Sequence, residues 1–145
     1  MRLLVVVLAL LLSTFSAAAA FRIPVIVSPA LLAPIRIFPA KVVASGGHVI
    51  LWVATALNPD CSSNGPVTFK VLKSPTHGKM SIRSARVFPS YPPNNLRSVC
   101  NTRRVAGQQV NYVSRKGFTG VDLVEFEIFY PAGQGTITRI PIIVR

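Results

Sequence analysis

Apolar residues in this chain fall into short blocks that alternate with polar residues and are separated by turns. Val67, Phe69 and Val71 alternate with polar neighbours, and the same period of two returns in segments 124–130 and 140–144. This period places alternate side chains on opposite faces, as in a half-buried strand. No segment beyond residue 20 has a helical period. About seven short strands at this spacing predict an all-β fold, an antiparallel β-sandwich.

The first 20 residues have the layout of a secretory signal peptide. A short basic start is followed by ten uninterrupted apolar residues, 3–12, and then by small residues that end at Ala18 and Ala20. Small residues at those two positions fit the cleavage rule. We therefore predict a signal peptide over residues 1–20, cleaved near Ala20, and a secreted or periplasmic protein. An uncleaved membrane anchor stays open, because the apolar stretch has about the length that crosses a bilayer.

A proline-rich segment, 21–39, follows the predicted cleavage site. Its prolines recur every five residues, at positions 24, 29, 34 and 39. Proline inside a helix costs about 3 kcal/mol, so the segment should be extended. We expect a leader that forms an edge strand, followed by one β-domain over residues 40–145. Pro141 falls in the last predicted strand, which should therefore lie at a sheet edge or contain a bulge.

Composition places the chain among folded, strongly basic proteins. Its 145 residues include 16 Lys or Arg and 4 Asp or Glu, which gives a formal net charge of +12 and a pI near 11.2. Charged residues make up 14% and hydrophobic residues 50%. These values exclude a disordered polyelectrolyte and a charged coiled coil. The length fits a single domain.

Export determines how the two cysteines are interpreted. In an oxidising compartment, Cys61 and Cys100 are expected to form one disulfide bond. The closed loop of about 40 residues would stabilise the fold by about 4 kcal/mol through chain entropy. A metal site would need more ligands than two distant cysteines and two isolated histidines supply. A nucleophilic cysteine would need a positioned base.

The second half of the chain resembles the bacterial cadherin-like, immunoglobulin-like repeat. In that repeat a P-x-H-G turn precedes a run Y-x-P-x-x-G-F-x-G-x-D and a closing hairpin. Here residues 75–78 read Pro-Thr-His-Gly, and residues 112–122 read Tyr-Val-Ser-Arg-Lys-Gly-Phe-Thr-Gly-Val-Asp. The resemblance covers residues 67–144 and extends to small secreted proteobacterial proteins that join this repeat to an N-P-D-C loop like residues 58–61. It implies an immunoglobulin-like or cadherin-like β-sandwich.

Four residues of this run are assigned structural roles in the turn. Gly117 and Gly120 would adopt backbone angles that other residues resist. Phe118 would close the end of the sandwich, and Asp122 would accept hydrogen bonds from turn amides. Ser114 stands where the repeat usually has proline. Neither the adhesive role of long repeat arrays nor calcium binding carries over, because the chain has one repeat and four carboxylates.

Residues suited to catalysis are scarce. His48 follows a glycine turn and His77 lies inside the P-x-H-G turn, so both are expected to be turn or surface residues. Glu125 and Glu127 share one strand face, with cationic neighbours as expected partners. The sequence has no glycine-rich phosphate loop, zinc-ligand spacing or nucleophile elbow. We therefore expect a protein that is not an enzyme and that uses no metal or cofactor.

One part of the chain separates the charges sharply. Between Cys61 and Val121 there are ten basic residues and no acidic residue. Such a stretch creates a positive field that attracts polyanions. A solvated surface that maintains solubility is the alternative interpretation. The candidate anion-binding residues are Arg97, Arg103, Arg104, Lys79 and Arg83.

These features together predict a secreted binding or structural module of the bacterial envelope. Its basic face would engage anionic envelope polysaccharide, lipopolysaccharide or a membrane surface. Nucleic acid is not expected, because export removes that target and no recognition motif is present. A secreted, membrane-directed effector is the second hypothesis, and an enzyme is the third and least favoured.

Overall fold

The computed structural model describes residues 34–145, which are built mainly from β-strands. Within these residues there are eight strands and a 3-10 helix, Leu96–Thr102. In chain order the strands are β1 (Ile35–Ile37), β2 (Lys41–Val43), β3 (His48–Ala54), β4 (Thr68–Lys73), β5 (Gly78–Val87), β6 (Val105–Ser114), β7 (Gly120–Phe129) and β8 (Gly135–Val144). The prediction of an all-β fold is confirmed. The predicted signal peptide and most of the leader lie outside the described residues.

The strands form two sheets that contribute to one core. A five-stranded sheet has the order β1-β8-β7-β4, with β2 also paired to β8, and a three-stranded sheet has the order β3-β6-β5. β1 and β2 run parallel to β8, whereas the other pairs are antiparallel. The prediction of a wholly antiparallel fold is therefore wrong for these two strands. Hydrophobic alternation shows which face a residue occupies, but not the direction of the neighbouring strand.

Two prolines lie at one interruption of the five-stranded sheet. Pro39 lies in the gap between β1 and β2, and Pro141 lies within β8. The N–H of Ile137 donates to the Pro34 carbonyl on the β1 side. Residues an even number apart in a strand point the same way, so the nitrogen of Pro141 faces the gap. β8 is thus an interior strand whose register with β7 has no bulge, so it shows neither the predicted edge position nor the predicted bulge. Its proline instead occupies a position where the neighbouring strand offers no continuous ladder.

The alternation of residues in β7 and β8 produces the core. In both strands the even-numbered residues from 122 to 128 and from 138 to 144 are buried, and the odd-numbered residues face the other way. Tyr112, Phe126 and Leu51 are among the largest fully buried side chains, and they come from both sheets. Each such side chain contributes about 1.5 to 3 kcal/mol by leaving water. The core is therefore the main source of stability.

A disulfide joins the loops at the end of the sheets where β3 and β5 finish and β6 begins. Cys61 and Cys100 are bonded with their Cα atoms 5.5 Å apart, which confirms the predicted pairing. Cys100 is fully buried in the 3-10 helix and packs with Leu57 and Val105. Such a bond is consistent with an oxidising compartment. Within residues 34–145, no helix has the length and apolar character needed to cross a bilayer.

Candidate functional site

A buried carboxylate organises the turn between β4 and β5. Asp122 is 4% exposed and accepts hydrogen bonds from the N–H groups of Thr76, at 2.9 Å, and His77, at 2.8 Å. The Tyr112 hydroxyl donates to it at 3.0 Å. Burial raises the pKa of Asp122, but the bonds from these amides, from the Leu123 N–H and from Tyr112 outweigh burial and hold the pKa below its ordinary value. We call Thr76, His77, Tyr112 and Asp122 the Asp122 cluster.

The same tyrosine explains the glycine of the P-x-H-G turn. The ring of Tyr112 lies so close to Gly78 that a Cβ at this position would be 2.3 Å from a ring carbon. Burial, followed by the hydrogen bond and the charge of Asp122, raises the pKa of Tyr112 to about 12. Its hydroxyl therefore stays a donor at neutral pH. Packing and hydrogen bonding together tie the turn to β6 and β7.

Phe118 and two glycines complete the turn region. The Phe118 ring stacks on the His77 ring with centroids 4.0 Å apart. Gly117 and Gly120 have positive φ angles of 83° and 136°, which are costly for other residues. A Cβ at Gly120 would also lie 3.2 Å from the Phe118 ring. These three residues lie at the turn between β6 and β7, which contacts the turn between β4 and β5 through the Phe118–His77 stack and the Asp122 hydrogen bonds.

The two histidines have different surroundings in the described residues. The Nε2 atom of His48 lies 3.1 Å from the Asn111 side-chain oxygen. His77 carries the Phe118 ring against its face. Within residues 34–145, neither imidazole is paired with a carboxylate, and no group of three or more His, Cys, Asp or Glu side chains could hold a metal ion.

The five predicted anion-binding residues occupy three separate places. Lys79 and Arg83 are exposed on β5, on the face opposite Met80 and Ile82, which pack against the core. They therefore lie on the outer face of the three-stranded sheet. β5 is an edge strand of that sheet. Cations on an edge strand also hinder pairing with another chain, which gives these two residues a structural use as well.

Arg97 lines a different cleft from Arg103 and Arg104. Its Nε atom donates to the carbonyl of Leu57, and the half-buried side chain lines a cleft with Tyr91 and Tyr130. A guanidinium held by a backbone carbonyl fixes the loop that follows β3. The structure therefore does not bring Arg97 into the same cleft as Arg103 and Arg104.

Arg103 and Arg104 instead meet Arg86 in a cleft beside the disulfide. The cleft has a volume of about 430 Å³ and is lined by these three residues together with Leu57, Asp60, Cys61, Ser62, Ser63, Val105 and Ala106. The Nη2 atom of Arg86 donates to the Arg104 carbonyl at 2.6 Å. The Arg104 guanidinium lies 5.3 Å from the centre of the Phe88 ring, a cation–π contact. We call Arg86, Arg103 and Arg104 the arginine cleft.

Arg86 is the member of this cleft that the sequence pattern does not single out. In the antiparallel pair of β5 and β6 it lies opposite Ala106, and Ala106 follows Arg104 by two residues. The long loop between these strands therefore starts and ends at the cleft. A hairpin interpretation of β5 and β6 would have brought Arg86 and Arg104 together, because paired strands hold the two ends of their loop side by side.

The four side-chain carboxylates of residues 34–145 lie outside the strands of the three-stranded sheet. Their hydrogen-bond partners are turn amides and Tyr112 for Asp122, Ser62 for Asp60 and Arg139 for Glu125, whereas Glu127 lies across the sheet from Lys70. None of the four belongs to β3, β5 or β6. Asp60 lines the arginine cleft, where hydrogen bonds from the Ser62 side chain and backbone lower its pKa. Three guanidiniums against this one carboxylate leave the cleft positively charged.

Comparisons with known proteins do not assign the chain to a family. No family model matches it, and no curated protein matches it. It is similar to a solved structure, the solution structure of Amebosin, with 11% sequence identity and a TM-score of 0.40. That match covers 77% of this chain and 98% of the other. A likeness of this size carries no argument, so function must be argued from the site itself.

Proposed function

We propose that the chain is an exported, non-enzymatic binding module with an immunoglobulin-like or cadherin-like β-sandwich fold. The division of strands supports this fold, since β3, β6 and β5 form one sheet while β8, β7 and β4 form the other. Both sheets contribute side chains to one core, as in a sandwich. The Cys61–Cys100 disulfide and the signal-peptide pattern of residues 1–20 support export to the periplasm or the cell exterior.

The ligand that we propose is an anionic polymer of the bacterial envelope, such as acidic polysaccharide or lipopolysaccharide. The arginine cleft is the observation that carries this proposal. Its volume of about 430 Å³ lies within the range of ligand sites. Guanidinium groups form paired hydrogen bonds with carboxylate and phosphate, and the one carboxylate of the cleft is already engaged by Ser62.

The cations of β5 favour a polymer over a single small anion. Lys79, Arg83 and Arg86 lie on one exposed strand. From Lys79 to Arg86 the strand extends over roughly 23 Å at about 3.3 Å per residue. Lys79 and Arg83 lie on the outer side of the strand, and Arg86 is exposed near its end, on the side of Met80 and Ile82. A polymer with repeated negative charges can therefore contact the cleft and the sheet together.

Binding to immobilised lipopolysaccharide and to a uronic-acid polysaccharide tests the proposal. Replacing Arg86, Arg103 and Arg104 together by Gln should weaken binding about tenfold. Affinity should also fall steeply as salt is raised to about 0.5 M, because the Debye length shortens to well under 10 Å. The melting temperature should change little, since exposed charges contribute at most about 1 kcal/mol to folding.

A matched control separates a site from a general charge effect. Arg36, Lys41 and Arg145 are exposed and lie outside the cleft. Replacing these three by Gln removes the same charge and should weaken binding less than about twofold, because long-range fields are screened. Equal losses from the two triple variants, or binding that does not respond to salt, would show that the charge serves solubility only.

A second candidate is a membrane-directed effector, and one observation favours it. Leu96 and Val99 on the 3-10 helix are 78% and 63% exposed, in the loop that ends at the arginine cleft. Apolar side chains beside cations are typical of proteins that contact anionic bilayers. Leakage of anionic vesicles that is lost when both residues are replaced by Ser would favour the effector. Polymer binding without leakage, unaffected by these replacements, would favour the binding module.

A further inference from the structure

The outer face of the five-stranded sheet is unusually apolar for a solvent-facing surface. Four aliphatic side chains of this face are more than half exposed: Ile37 at 68%, Val121 at 67%, Ile35 at 58% and Val42 at 51%. Half-buried Leu123, Ile137, Pro141 and Ile143 lie on the same face, because they are odd-numbered residues of β7 and β8. We call these eight residues the apolar face. Exposed patches of this kind mark interaction surfaces.

Strand register places the residues of the apolar face next to one another at each end of the sheet. Ile35 lies beside Ile137 at one end. At the other end Val42 lies beside Ile143, which lies opposite Val121. Leu123 and Pro141 face each other between these rows. β7 and β8 are each ten residues long, about 33 Å, and the sheet is roughly 15 to 20 Å wide. The whole outer face of the sheet, which includes the apolar face and the charged residues of β4, β7 and β8, has an area of the order of 600 Å². This approaches the roughly 800 Å² per partner of a standard interface.

The charges on this face nearly balance. Glu125 and Arg139 form an ion pair at 2.6 Å between the two apolar ends. Lys70 lies opposite Glu127, and Lys73 lies opposite Glu125. Three cations and two carboxylates leave this face close to neutral, whereas the described residues as a whole are strongly basic. Two copies of a basic protein repel each other least where their local net charge is smallest.

We propose that two copies of this chain pack together through the apolar face. A second copy matches the face in apolar character, in its near-neutral charge and in size. A two-fold dimer uses the same patch on both partners, so these properties are complementary by symmetry. The three-stranded sheet and the arginine cleft lie outside the apolar face. The dimer would therefore carry two basic surfaces, and its formation does not depend on the proposed ligand.

Sedimentation equilibrium of the protein secreted from cells expressing the whole chain tests this interface. The wild type should be a dimer at micromolar concentration. Val121→Lys places a charge on the apolar face and should raise the dimer dissociation constant at least about tenfold. Val113→Lys adds the same charge on the outer face of the three-stranded sheet, where Val113 is 44% exposed, and should change the constant less than about twofold. A wild type that stays monomeric to about 100 µM would overturn the proposal.

Photo-cross-linking identifies what covers the face. A benzophenone amino acid in place of Val121 should yield an adduct with twice the mass of the chain. The same label in place of Val113 should yield none. Adducts of monomer mass only, with peptide mapping that joins position 121 to residues 21–33, would show that this segment of the same chain covers the face, and would contradict the dimer. Unchanged near-ultraviolet circular dichroism of each variant shows that it is folded.

Discussion

Replacing Asp122 by Ala should destabilise the protein strongly, because four donors would lose this acceptor in a buried site. Asp122 is 4% exposed and accepts hydrogen bonds from the N–H groups of Thr76, His77 and Leu123 and from the Tyr112 hydroxyl. A buried donor without a partner costs about 1 to 3 kcal/mol. With part of this loss recovered by water, we expect about 3 to 5 kcal/mol, which lowers the melting temperature by about 10 to 15 °C. Differential scanning calorimetry measures this change.

Glu127→Ala is the matched control for this substitution. Glu127 lies in the same strand, is partly exposed and faces Lys70 across the sheet. Its loss should lower the melting temperature by no more than about 3 °C, since such pairs contribute at most about 1 kcal/mol. If Asp122→Ala melts within about 2 °C of the wild type, the carboxylate does not hold the turn and the argument fails.

The pH dependence of this difference follows from the lowered pKa of Asp122. Burial raises the pKa, but the amide and hydroxyl hydrogen bonds lower it further, so the folded value lies below the ordinary 3.8. The ionised form is therefore favoured in the folded state. Its contribution is fully present above the unfolded pKa and is lost as pH falls through the folded pKa. The stability gap between wild type and Asp122→Ala should be constant at neutral pH and should narrow below about pH 4.

Two further substitutions test the packing and the disulfide. Gly78→Ala should lower the free energy of unfolding in urea by about 1 to 3 kcal/mol, because its Cβ would overlap the Tyr112 ring. Ser81→Ala, on the exposed face of the same strand, should lower it by less than about 0.5 kcal/mol. Equal losses would contradict the close contact between Gly78 and Tyr112. Replacing Cys61 and Cys100 together by Ala should cost about 4 kcal/mol. Thiol labelling of unreduced wild type should detect no free cysteine, and two reactive thiols would refute the bond.

The core strands could be predicted because alternating apolar and polar residues indicate which positions are buried. Val124, Phe126 and Ile128 alternate with Glu125 and Glu127 in the sequence, and the structure buries all three apolar residues in β7. Strand direction follows a different rule. β1 and β2 have three residues each, and their parallel pairing with β8 joins segments about 100 residues apart. A local pattern carries no information about such a distant partner.

The basic surface could be predicted in part. Lys79 and Arg83 are four residues apart in one strand, so a period of two places them on one face. The contact between Arg86 and Arg104 depends on β5 pairing with β6 across a long loop. The bond from Arg97 to a carbonyl 40 positions away joins two irregular loops. Such contacts depend on the finished fold, which is why the sequence alone did not predict that Arg97 lines a different cleft from Arg103 and Arg104.

The geometry of β5 separates the residues that hold the fold from those proposed to bind. Gly78 begins the strand under the Tyr112 ring, and Arg86 lies near its other end at the arginine cleft. Eight residues at about 3.3 Å each place them roughly 26 Å apart. Sites this distant with no shared partner act additively. Loss of Asp122 should therefore lower stability without weakening polymer binding to the protein that remains folded. Loss of the three arginines should weaken polymer binding and leave stability nearly unchanged. The two effects can be measured independently because the Asp122 cluster and the arginine cleft lie at opposite ends of β5 and have no contacts in common.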